Sequence, residues 1–390
     1  METDMNNPTS LLKLGLSFLL GSSLIACGGD VENDTSTSDT VGGDQADTSD
    51  TGESGNGNDE TCAEGETADW GAIRCEPAEA FFADDLSQAV RDGINQGLMH
   101  AANVWGNYGP LEYWVMGTDD EAGLALIETF CERRAARGDW DKASCLQHHT
   151  REDGEHNLLS YLRVGQEVIA NDQPMGTAGR NGRRDWNIHL FASSYPFAFD
   201  RLFGIAPEEE TKTVFHEYFH AVQHAFIDSL DYQRRDELLG PTWFVEGGAE
   251  YMAQLYSEKL LNDGTIERSG MNYPSFAQRM EWKMLGGKET LDRECPGMSI
   301  ADITYADPCS YSAYELGAWG HAYLQHLAGE GALLEIFHPF VEELGWLSIP
   351  VNVLVCLSFA LISEAGRVLE DPFNMFWNAL PLSALSRKIE

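Results

Sequence analysis

Apolar residues recur at helical spacing near the start of the foldable part of the chain. Leu86, Val90, Ile94, Leu98, Ala101 and Trp105 predict a helix opened by Asp84 or Asp85 and broken at Gly109-Pro110. Leu111–Met116 predicts a strand, and Asp119 or Asp120 opens a helix carrying Leu124, Ile127, Phe130 and Cys131. Residues 138–185 are polar, rich in Gly and Arg, and hard to assign. Trp186–Ala192 alternates, with Trp186, Ile188, Leu190 and Ala192 on one face, as a short strand does. Pro207 and the acidic run Glu208–Glu210 suit the first turn of a long helix through about Phe226. Pro241 and Thr242 start another, from Trp243 to about Leu261. Further helices are expected from Tyr311 to Leu327 and over Leu333–Leu344. The apolar segment Leu347–Ile362 falls short of the ~20 residues a membrane span needs, contains Pro350 and Asn352, and reads as a buried helix or strand. Strands come early and helices late, so the expected class is α+β.

The first residues follow a different logic. Lys13 precedes the apolar run Leu14–Leu20, and small residues lead to Leu24-Ile25-Ala26-Cys27. This is the layout of an export signal, and its ending resembles the lipobox of bacterial lipoproteins, with Cys27 the lipidated residue. Residues 28–72 are Asp, Ser, Thr and Gly with no Lys or Arg, a composition that reads as a disordered acidic tether. The expected organisation is therefore 1–27 signal and lipobox, 28–72 tether, 73–210 an N-terminal α+β part, and 211–390 a helical part.

Net charge is −38, and the residues after the tether still hold about twice as many acids as bases. So acidic a surface excludes nucleic acid as a partner. The expected contact with a membrane is through the lipid alone, at an outer membrane or cell surface. Of eight cysteines, six fall into closely spaced pairs, Cys62 and Cys75, Cys131 and Cys145, Cys295 and Cys309. Six cysteines allow 15 connectivities, of which local closure is the simplest in an oxidising compartment. Cys356 is left as a buried thiol.

The chemistry concentrates in His216-Glu217-Tyr218-Phe219-His220. The i,i+4 spacing puts both imidazoles on one helix face, able to converge on one ion, while Glu217 is offset toward a water on that ion. The flanking Val214, Ala221 and Val222 make this a buried helix, where two His and a Glu need a partner. His224 is two turns from His216 and reads as structural. His148, His149, Glu152, Asp153 and His156, like Arg180, Arg183 and Arg184, read as solvated loop charges rather than a second site.

Trp243-Phe244-Val245-Glu246-Gly247-Gly248-Ala249-Glu250-Tyr251 follows that helix. The H-E-x-x-H and W-F-x-E-G-x-A-E-Y pair resembles the gluzincins, above all the thermolysin-like catalytic domain of the aminopeptidase N family, over roughly residues 186–330. The resemblance implies a zincin fold with the zinc cleft between a small N-terminal sheet and a helical C-terminal part. It makes Glu246 the third ligand of one Zn2+ per chain, beside His216 and His220. Glu250, on the same face as Glu246, would orient a ligand imidazole. Tyr314-Glu315-Leu316-Gly317-Ala318 is similar to the Y-x-K-G-A segment of that family, with Leu316 in place of Lys; Tyr314 is thus the expected oxyanion donor, with Tyr311 and His321 as alternatives. The strand Trp186–Ala192 would be the edge on which an extended substrate pairs.

These residues together predict a zinc peptidase acting on peptides or proteins, in which Glu217 is the general base for a metal-bound water. Lacking a G-x-M-E-N segment, the chain is expected to be an endopeptidase, or an exopeptidase or aminopeptidase that recognises its substrate by another device, rather than a true member of the aminopeptidase N type. The competing expectation is a zincin scaffold kept for binding at the cell surface.

Overall fold

The computed structural model describes residues 69–328, apart from 155, 173–177 and 195–197. The leader, Cys27, nearly all the tether, Cys62, Cys356 and the segments Leu333–Leu344 and Leu347–Ile362 lie outside the described residues. Among the described residues no helix is long and apolar enough to cross a membrane.

Four strands form one sheet in the order β1-β2-β4-β3, where β1 is Glu79–Phe82, β2 Leu111–Val115, β3 Ala178–Arg183 and β4 Ile188–Ser193. β1, β2 and β4 run parallel, with Glu79 opposite Glu112 and Leu111 opposite His189. β3 runs antiparallel to β4, Arg183 facing Ile188. β4 is therefore an interior strand, which corrects the expectation that this segment is the sheet edge. Alternation does not separate an interior strand from an edge one, and the edge beside β4 belongs to β3, whose Gly-rich sequence carries no such pattern.

Helices cover both faces of the sheet. α1 (Gln88–Trp105) and α5 (Pro207–Ala225) pack on the face that holds Tyr113, Val115 and Phe191. α2 (Asp120–Arg137), α3 (Lys142–His149) and α4 (Leu158–Asn171) cover the other, where Phe81 stacks on Trp114 and Phe130 meets it edge-on. All five residues of β2 are buried as a result. Ser87, not Asp84 or Asp85, caps α1. Asp85 instead accepts from the backbone N–H groups of Thr118 and Asp119 at 2.7 and 3.0 Å, tying the start of α1 to the start of α2.

The remaining helices are α6 (Tyr232–Leu239), α7 (Thr242–Asp263), α8 (Phe276–Glu294) and α9 (Tyr311–Ala328). α7 lies between α5 and α9 and is buried on every side from Thr242 to Gln254. Its closest approach is to α9: a Cβ on Gly247 would lie 2.3 Å from the Gly317 carbonyl carbon, and one on Gly317 would lie 2.3 Å from the Trp243 carbonyl oxygen. Only glycine at both positions lets the two backbones touch.

Disulfides join Cys131 to Cys145 and Cys295 to Cys309. The first ties α2 to α3, and the second ties the end of α8 to the loop before α9. Cys75 is also disulfide-bonded, and because the four other described cysteines pair with one another, its partner lies outside the described residues.

One buried ion cluster anchors the sheet to α2. Glu112, 1% exposed, receives two 2.5 Å bonds from the wholly buried Arg134, one of 2.7 Å from Arg133 and one of 3.1 Å from Trp114 Nε1. Burial alone would raise the Glu112 carboxyl, but the two guanidiniums outweigh it and hold the group below its usual range. Glu112→Ala should therefore destabilise the fold by about 3–5 kcal/mol, because Arg134 would stay buried with less than its charge met. Arg133→Ala, at a partly exposed position, should cost about 1 kcal/mol or less. Urea denaturation of both variants checks the contrast, and equal losses would show that Arg134 is not the partner that matters.

Candidate metal centre

α5 presents His216 and His220 one turn apart, and α7 presents Glu246 against them. Pro207 and Glu208–Glu210 start α5 as the sequence predicts, and the aromatic contacts of Trp105 with Phe215 and Phe219 fix its rotation. Gly247 seats α7 on α9 right beside Glu246. The three side chains are buried, with exposures of 7%, 0% and 1% for His216, His220 and Glu246.

Their donor atoms form a nearly equilateral triangle. His216 Nε2 and His220 Nε2 are 3.2 Å apart, and each is 3.3 Å from Glu246 Oε2. A tetrahedral zinc ion with bonds near 2.0–2.1 Å has donor–donor edges of about 3.3–3.4 Å. Among the described residues, His216, His220 and Glu246 are the group of three able to hold a metal ion.

Both outer ring nitrogens are also engaged. His216 Nδ1 lies 2.9 Å from Glu250 Oε2, and His220 Nδ1 lies 2.6 Å from Gln223 Oε1. Acceptors at both Nδ1 atoms favour the tautomer that leaves each Nε2 lone pair facing the triangle. Gln223 is fixed in turn by donating to the Val245 carbonyl at 2.9 Å, which links the outer partner of His220 to the residue before Glu246. Tyr305 donates to Glu246 Oε1 at 2.6 Å.

Glu250 belongs to a buried charge network. Its Oε1 lies 2.7 Å from Lys283 Nζ, 3.4 Å from Lys212 Nζ and 3.0 Å from Gln254 Nε2. Lys283 also meets Glu315 at 2.9 Å, and Lys212 meets Glu209 at 3.0 Å. Burial opposes the charge on Glu250, but the two ammonium groups overcome it and hold the carboxyl well below its usual range. Burial likewise opposes charge on His216, yet hydrogen bonds to Glu246 and Glu250 and the field of Glu217 lift its imidazolium to about 9.

The other expected residues fall around this centre. Glu217 is half-buried beside His216, and its field reaches Tyr113 as well. Tyr314 stacks on the His216 ring with centroids 6.0 Å apart, and Tyr311 stacks behind Tyr314. His321 faces away, its Nδ1 donating to the Gly317 carbonyl, and burial lowers it to about 4. His224 stands outside the triangle. His149 is packed against Phe130 and accepts from Leu158 N, while Glu152 and Asp153 pair with Arg163 and Arg151, so this run serves structure rather than a second metal.

Sequence reasoning missed Gln223, Lys212, Lys283 and Tyr305. Gln223 sits three residues after His220, the spacing at which helix side chains meet, and that signal was available. Lys283 lies on α8, which had no predicted counterpart, and Tyr305 reaches Glu246 from a loop.

Residues 326–390 match the family described as bacterial/fungal bestrophin protein. The matched stretch lies almost wholly beyond the described residues. No curated protein and no solved structure matches the chain. No zincin or peptidase family is found. The expectation of a gluzincin peptidase related to aminopeptidase N is therefore corrected. The family match does not support peptide-bond hydrolysis, and the zinc-peptidase expectation falls with it, in its endopeptidase, exopeptidase, aminopeptidase and zincin-scaffold forms alike. The physical reason is that an H-E-x-x-H helix with a distant Glu specifies a ligand set, and a ligand set does not by itself specify a reaction.

Gln223→Ala should weaken divalent-metal binding by about 10–100-fold, since an unsupported imidazole loses both orientation and basicity. Calorimetric titration with Zn2+ against the unaltered protein measures this. An unchanged affinity would show that Gln223 does not orient His220.

Proposed function

We propose that this chain is a zinc-binding protein, with one ion held by His216, His220 and Glu246. The donor triangle of 3.2, 3.3 and 3.3 Å edges carries the reading, because it matches the spacing a tetrahedral ion requires. The engaged outer nitrogens support it, as does a carboxylate excess that raises His216. Three protein donors leave a four-coordinate ion one position for another ligand. Glu217 and Tyr314, which border His216, are the side chains we assign to contact that ligand.

We also propose that the chain is exported. Two disulfides are at home in an oxidising compartment, where a lipid on Cys27 and an acidic tether would hold the metal domain off the membrane surface. Metabolic labelling with a fatty acid, lost in Cys27→Ser, tests the anchor.

Elemental analysis of the purified protein should find close to one zinc per chain. His216→Ala, His220→Ala and Glu246→Ala should each lower Zn2+ affinity by more than the roughly 10–100-fold that loss of an outer partner costs. Stoichiometric zinc in all three variants would remove the assignment.

Affinity should also depend on pH in a set direction. An imidazole binds metal only when neutral, and without metal His216 holds its proton up to about 9. Zn2+ affinity should therefore rise with pH through the neutral range and level off near 9, with proton release on binding at pH 7. Calorimetry in buffers of different ionisation enthalpy counts the released protons, and a count of zero would contradict the charge state assigned to His216.

A further inference from the structure

We infer that Tyr305 is a positioning residue that makes Glu246 a one-oxygen ligand and so biases the centre toward four-coordinate ions such as Zn2+. The inference rests on the metal reading above and adds to it a determinant of which metal is held.

A glutamate carboxylate has two oxygens, and where both face an ion they bind as a pair, which suits larger ions of higher coordination number. Here the two oxygens have different tasks. Oε2 lies 3.3 Å from each ligand nitrogen, while Oε1 accepts the Tyr305 hydroxyl at 2.6 Å. That length is typical of a hydroxyl bonded to an ionised acceptor. Swinging Oε1 toward the ion would break this bond in a site that is 1% exposed, where no bulk water would replace it.

Tyr305 is well held for such a task. It lies in the loop closed by Cys295–Cys309, between the buried Ile303 and Cys309. Asp307 Oδ2 accepts from both Thr304 N, at 2.7 Å, and Thr304 Oγ1, at 2.8 Å, and Asp307 N donates back to the Thr304 carbonyl. Tyr305 therefore rides on a closed turn within a covalent loop, and its ring reaches in from a half-buried position. Its hydroxyl restrains the carboxylate by donating to one oxygen and leaves the other to the ion.

The test compares the purified protein with Tyr305→Phe, which keeps the ring and removes only the hydroxyl. Co2+ serves as the probe, because its visible absorption is strong when four-coordinate and weak when five- or six-coordinate. The unaltered protein should bind one Co2+ with strong absorption. Tyr305→Phe should bind Co2+ with clearly weaker absorption, lose about 10-fold in Zn2+ affinity, and lose none toward Mn2+, which favours more oxygen ligands. Circular dichroism confirms that the variant is folded. Tyr305→Leu, read in the same way, keeps the question open to measurement if the Phe variant misfolds. Identical Co2+ spectra and Zn2+ affinities in the unaltered protein and a folded variant would overturn the role of Tyr305 and leave the metal site standing. Failure of the unaltered protein to take up either Co2+ or Zn2+ would overturn both.

Discussion

The interior between α5, α7 and α8 is governed by the need to neutralise carboxylates that have left water. Glu246, Glu250 and Glu315 are buried here beside the half-buried Glu209, and an isolated buried carboxylate would sooner take up a proton than remain charged. Lys212 and Lys283 answer part of that demand by bridging Glu209, Glu250 and Glu315. Glu246 faces two imidazoles and a phenol. The helices are thus arranged around two kinds of counter-charge. One is built from lysine and is permanent; the other must be brought in by a proton or a metal ion. Glu250 joins them, since one of its oxygens meets the lysines and the other meets His216.

Much of this arrangement was legible in the sequence because it is local. The i,i+4 pair of imidazoles, the acidic first turn of α5, and the placing of Glu246 and Glu250 on one face of α7 all follow from helical geometry. What was not legible lies on elements whose sequence periods are weak or hidden. Within residues 138–185, α3 and β3 are polar or Gly-rich, whereas α4 buries Leu158, Leu162 and Val168 at helical spacing and was hidden only by its polar flanks. Arg183 lies over the Trp186 ring and pairs with Asp185, so a charge that reads as solvated helps to cover the sheet. The expected edge strand failed for a related reason: alternation marks burial, and an interior strand alternates as readily as an edge one. Tyr305 could not be found by spacing at all, since its only relation to Glu246 is a fold that brings together positions 59 residues apart.

The same contrast bears on function. Motif reasoning located a ligand set whose geometry suits a tetrahedral ion, and it then borrowed a reaction from a family in which such sets hydrolyse peptides. The family likeness that the chain does show falls at residues 326–390 and carries a different description, bacterial/fungal bestrophin protein. Position of side chains and identity of chemistry are separate inferences. The first rests on distances within the protein, and the second would need a substrate.

The contact of Gly247 with Gly317 has a mechanical meaning. Neither helix can slide, tilt or roll there without lifting the other, for there is no side chain between them to deform. Glu246 is the next residue along α7, and α9 runs on to Ala328, inside the bestrophin-like stretch that begins at 326. The Glu246 carboxylate and the start of that stretch are therefore joined through α9 and its close packing on α7. A side chain at position 317 would meet the α7 backbone at Trp243 and displace that helix, and Glu246 with it, relative to the two histidines.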